Sequence, residues 1–169
     1  MRDKMSQDLT ITALLAVVLL LAGMFRIPSP VGGGEFQMSA PLAVLMCAYF
    51  GFKRYLAAGV LASVLGMALG TANIFNVLIQ MTFRVVAGAV VAASGDFLPG
   101  VMLGGPLGTL AARVVLGQVT GVSWLVLTAA AAPGMVFTAA LTGIMYAPGK
   151  KLLARCENLG FLPKKEQKA

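Results

Sequence analysis

The chain has 169 residues, of which 59% are apolar and only 11% charged. Soluble domains carry roughly a quarter charged residues, so most of this chain, a single domain by its length, has lipid for a solvent. The net charge of +7 invites a nucleic-acid reading, but the basic residues gather at the chain ends and one tight turn, which in a membrane protein sets orientation.

A spanning helix needs about 20 mainly apolar residues. The first candidate is 9–25. It is long for a signal-peptide core and more spans follow it, so an uncleaved first helix is expected. The run stops at Arg26-Ile27-Pro28-Ser29-Pro30, and Val31-Gly32-Gly33-Gly34-Glu35 cannot continue as regular helix. This loop, 26–37, is a candidate lid as well as an ordinary connection. A short second span at 36–51 ends at Lys53-Arg54; the third covers 55–72 and the fourth 73–93. After the turn Gly95-Asp96-Phe97-Leu98-Pro99-Gly100 comes a fifth span, 100–117. The sixth, 122–146, is interrupted by Pro133-Gly134 and followed by a basic cytoplasmic tail, 147–169, in which 150–161 is expected to lie at the interface as a short amphipathic segment. The fold class is therefore an all-α integral membrane protein of six transmembrane helices.

Charge then fixes the orientation. With six spans, one side collects Arg2, Lys4, Lys53, Arg54, Lys150, Lys151, Arg155, Lys164, Lys165 and Lys168, against Arg26 alone on the other. Loops rich in Lys and Arg stay inside, so both termini are expected in the cytoplasm.

Small residues recur at steps of four. Ala58, Ala62, Gly66 and Gly70 do so in the third span, with Gly59 and Ser63 beside them, and Gly104, Gly108 and Ala112 do so in the fifth. Such ladders let helix backbones approach closely in lipid, within the chain or against a membrane partner.

Polar residues at membrane depth are costly and mark pathways or sites. Asn73, Asn76, Gln80 and Arg84 follow one another at steps of three, four and four, which places them on one face of the fourth helix. Thr109, Arg113 and Gln118 lie toward the outer end of the fifth, and Trp124 and Thr128 open the sixth. Trp124 suits an interface anchor as well as a site. Together with Glu35 from the loop, these residues outline an outward-facing pocket with arginines at two depths. Guanidinium groups in low dielectric bind carboxylate or phosphate well, so the expected ligand is a small anionic or zwitterionic molecule.

Much is excluded. Histidine is absent, and no metal or catalytic constellation is visible. The spans carry no carboxylate for a proton relay or sodium site. No G-x-x-x-x-G-K-[ST] sequence is present, so any ATP hydrolysis belongs to another chain. No cofactor is implied.

The opening Leu9-Thr10-Ile11-Thr12-Ala13-Leu14-Leu15-Ala16, the fourth-helix stretch 73–84 that follows a loop, and the overall size and span number resemble one family. It is the substrate-binding S components of bacterial energy-coupling factor (ECF) transporters, and the likeness runs over essentially the whole chain. The resemblance implies capture of a vitamin or amino acid from outside the cell. It also implies docking on a transmembrane T component driven by two cytoplasmic ATPases, in the cytoplasmic membrane of a bacterium. Family members dock through an A-x-x-x-A motif on the first helix. Here Ala13 is followed four residues later by Val17, and Thr12 with Ala16 keeps only a small-x-x-x-small version. The 76–84 region and Ala132-Pro133-Gly134 also resemble members assigned to tryptophan uptake. Riboflavin, thiamine, biotin, pantothenate and folate stay open beside tryptophan. The alternatives are a stand-alone small-solute facilitator or channel, and a structural subunit of a membrane complex.

Overall fold

The computed structural model describes residues 2–28 and 35–158, with side chains for 5–25 and 38–158. Six helices follow in order: α1 (Arg2–Met24), α2 (Ser39–Phe50), α3 (Phe52–Ala68), α4 (Ile74–Ser94), α5 (Leu98–Thr120) and α6 (Trp124–Asn158). Between α1 and α2, β1 (Arg26–Pro28) and β2 (Glu35–Gln37) pair antiparallel, with Ile27 opposite Phe36. The glycine run and the rest of the candidate lid, 29–34, fall outside the described residues.

Four helices are long and apolar enough to cross a membrane, which makes this a multi-pass membrane protein: Met5–Met24, Ile74–Ser94, Leu98–Thr120 and Trp124–Asn158. At 1.5 Å per residue, the 12 residues of α2 reach only about 18 Å and the 17 of α3 about 25 Å, short of a hydrocarbon core of roughly 30 Å. The second helix begins three residues later than its apolar pattern suggests, because Phe36 is held in the hairpin. It stops at Gly51, whose φ of +84° is open to glycine and strained for other residues. That one residue turns the chain straight into α3.

The first part of the expected tail, 147–158, is instead part of α6, which runs unbroken through both Pro133 and Pro148; 159–169 lie outside the described residues. A proline removes one ladder bond and crowds the carbonyl four residues back. Around Pro148 the Tyr49 hydroxyl lies within hydrogen-bonding distance of the carbonyls of Met145 (3.1 Å) and Tyr146 (2.9 Å). Gly149 leaves room for this, since a Cβ there would collide with the Tyr49 ring and hydroxyl. A side chain from α2 thus supports the turn that the proline weakens.

Polar contacts show how the helices alternate. Arg54 at the start of α3 pairs with Asp8 in α1 at 2.5 Å. Lys150 pairs with Asp96, just past α4, at 2.7 Å, and Asp96 also accepts from the Tyr146 hydroxyl. The aspartate and this hydroxyl hold the Lys150 ammonium above the ordinary lysine range. These contacts, with Tyr49, bring the starts of α1, α3 and α5 and the later parts of α2, α4 and α6 to one end of the bundle.

The core lies between α1, α2, α3 and α4. Ala16, Tyr55, Ala58 and Val101 have no exposed surface, and Val44, Ala87 and Val91 almost none. The ladder of the fifth helix is used for packing within the chain, as are Ala58 and Ala62 of the third, whereas Gly70 is exposed with nothing within 4 Å of a Cβ there. A Cβ on Gly108 would stand 2.8 Å from the Ala87 side chain and 2.9 Å from the Phe83 carbonyl, so α4 and α5 touch backbone to backbone. Gly88 is likewise covered by the rings of Phe52 and Tyr55.

Candidate functional site

At the end opposite the ion pairs the bundle opens into a cavity of about 500 Å³, within the usual range for small-molecule sites. It exists because the short α2 and the link between α3 and α4 leave space beside the longer helices. Its wall takes Leu20, Gly23 and Met24 from the late part of α1, and Ser39 and Ala40 from the first turn of α2. Gly66 of α3 and Thr71 of the link follow, then Asn76, Gln80, Phe83 and Arg84 of α4, and Thr109, Ala112 and Arg113 of α5.

Five of the residues singled out by the sequence thus share one space: Asn76, Gln80, Arg84, Thr109 and Arg113. Four others do not line it, and a fifth, Glu35, is placed by its backbone alone. The Asn73 side chain caps α4 by accepting from the Asn76 backbone N–H at 2.8 Å, the ordinary role of asparagine at a helix start. Gln118 is exposed near the end of α5. Trp124 is 43% exposed and its backbone packs against Gly117. The Thr128 hydroxyl is buried on α6 without a hydrogen-bond partner among the described residues. Glu35 sits in β2, and its side chain lies outside the described residues. Depth along the chain placed these residues near the outer end, but direction around the helix decides the lining.

The two arginines differ in their surroundings. Arg84 is 6% exposed and crosses to α3, where one terminal nitrogen donates to the Gly59 carbonyl and to the Ser63 hydroxyl, each at 2.6 Å. Its other terminal nitrogen donates to Gln80 Oε1 at 3.2 Å. Gly59 makes the crossing possible, because a Cβ there would lie 2.6 Å from Arg84 Cδ. Ser63 and Gly59 were visible in the sequence only as rungs of a packing ladder; their spacing from a buried arginine one helix away leaves no local signature. Arg113 is half-buried, and its Nε has no hydrogen-bond partner among the described residues. The Thr109 hydroxyl donates to its own helix at Gly105, which leaves its oxygen as an acceptor. Ser39 and Thr71 extend the polar lining beyond what the sequence suggested.

Among the described residues no carboxylate lines the cavity. Each arginine at membrane depth costs about 2.5–3.5 kcal/mol on insertion scales, and neutral acceptors offset only part of that. The space is therefore suited to a small molecule that carries negative charge. Among the described residues no group of His, Cys, Asp and Glu could hold a metal ion.

The docking candidates on α1 separate as well. Ala13 is exposed, and Thr12 is partly buried with its hydroxyl donating to the Asp8 carbonyl at 2.7 Å. Ala16 has no exposed surface and belongs to the core. Its place is a correction: a small residue four after Thr12 suits close packing on either side of a helix, and here the neighbour is inside.

The fold and cavity define a multi-pass helical membrane protein with a polar cavity near one end. Protein BioX of Lysinibacillus sphaericus is 42% identical over 156 residues, covering 90% of this chain and 94% of that protein. The chain belongs to the same family as Protein BioX. No family model and no solved structure matches it.

Proposed function

We propose that the protein is the substrate-binding S component of an ECF-type importer in the cytoplasmic membrane of a bacterium. Six spans with both termini inside would turn the cavity outward, where it captures a small anionic or zwitterionic vitamin or amino acid. A T component and two ATPases would then supply the work, with no catalytic step on this chain. The observation that carries this reading is a cavity of about 500 Å³, lined among the described residues by two arginines and no carboxylate, at the end away from the basic loops. The absence of a P-loop sequence supports a dependence on partner ATPases. Docking falls to the exposed side of α1 around Ala13, since Ala16 is covered. Biotin, a carboxylate-bearing vitamin among those the resemblance leaves open, and tryptophan are the first compounds to test.

Mass spectrometry of small molecules released from the detergent-purified protein tests the reading. A carboxylate-bearing vitamin or amino acid at near-stoichiometric yield is expected. Membrane partners without any small molecule would favour a structural subunit instead.

A further inference from the structure

We infer that the two arginines divide the work, with Arg113 receiving the carboxylate of the ligand and Arg84 acting as a positioning strut. This rests on the substrate-binding reading above. Arg84 has its terminal nitrogens committed to Gly59, Ser63 and Gln80, and moving it toward a ligand would break both of its bonds to α3. Arg113 lines the same cavity and has no such commitment among the described residues. A guanidinium there needs a counter-charge, and among the described residues no carboxylate in the cavity offers one. With Nε itself buried, the open approach is through the two terminal nitrogens, so a carboxylate would be taken end-on by the planar fork. Arg84 acts at one remove. By accepting from it, Gln80 is turned into a fixed part of the wall, and the strut keeps α4 against α3.

The test measures biotin and biotin methyl ester binding to the full-length protein in detergent by titration calorimetry. Arg113→Ala is expected to weaken biotin about ten- to more than a hundredfold, the usual range for a lost charge-assisted bond. Arg113→Lys should recover only part, because the fork is gone. The ester should bind wild type weakly, yet Arg113→Ala should bind acid and ester alike, since both changes remove one interaction. Arg84→Met should keep the full acid-over-ester preference even where overall affinity falls. Loss of that preference in Arg84→Met together with its survival in Arg113→Ala overturns the assignment. If wild type binds neither compound, biotin falls as the substrate, and phenylglyoxal labelling mapped by mass spectrometry decides between the arginines. Arg113 is then expected to react faster than Arg84; equal or reversed rates overturn the assignment.

Discussion

The two ends of the bundle spend their polar groups in opposite ways. At the basic end they face one another across helices: Asp8 with Arg54, Asp96 with Lys150, and Tyr49 with the carbonyls of α6. At the cavity end Asn76, Gln80, Thr109 and Arg113 face a shared space, and Arg84 supplies the cross-helix tie. The difference teaches where each kind of mutation will be felt. A polar group paired with protein contributes to holding the helices together, whereas one facing a cavity contributes to what the cavity can hold.

The largest expected effect is all-or-none. In a background carrying Cys47→Ala and Cys156→Ser, single cysteines at Val122 and Lys151 should react with a membrane-impermeant maleimide from opposite sides of intact cells. Val122 should be labelled from outside. Labelling of both from one side would break the assignment of cavity end to exterior.

Gly108→Leu should damage both ends at once, because the backbones of α4 and α5 leave no space at that position. Overpacking a close contact costs about 1–3 kcal/mol or more, and the expectation is loss of the monodisperse peak on size-exclusion chromatography. Normal elution with unchanged thermal unfolding would refute the close contact.

Tyr49→Phe sharpens the comparison, since it removes one hydroxyl at the basic end only. A hydrogen bond of this kind contributes about 0.5–1.5 kcal/mol, so the unfolding temperature should drop by a few degrees. Ligand affinity should stay the same. A change in affinity without a change in stability would mean that the two ends are not separable.

The smallest effect belongs to Lys150→Ala. Its pair with Asp96 is solvent-exposed, and such pairs contribute about 0–1 kcal/mol and less in high salt. Because the lysine is held above its ordinary range, its contribution is present at neutral pH and is lost only as pH rises through that raised value. Thermal unfolding at pH 7 and near pH 11, in low and 1 M salt, should show the variant's deficit shrinking in both directions.

The sequence showed the helices better than their stops and the pocket better than its walls. Apolar length alone located α4 and α5 to within a few residues. It failed at Pro148, because the residue that supports that turn is Tyr49, nearly a hundred positions earlier. Helical spacing gathered Asn76, Gln80 and Arg84 onto one face, which is where the cavity lies. The same spacing swept in Asn73, which stands before the first helical turn and caps it. Nothing local distinguishes Arg84, whose acceptors Gly59 and Ser63 lie on α3, from Arg113, which has none among the described residues. Pairing is a property of how helices meet, and a single chain of letters carries that only indirectly.

The length of α6 has a mechanical side. Its 35 residues extend about 52 Å, well beyond a hydrocarbon core of roughly 30 Å. From Pro133 to its last turn the helix is a lever arm of about 37 Å. A tilt of about 5° at that proline carries Asn158 about 3 Å sideways by this geometry. Small rearrangements within the bundle are thereby magnified into a displacement at the basic tip. Anything gripping that tip could sense the state of the membrane portion without touching it, and could also push back on it.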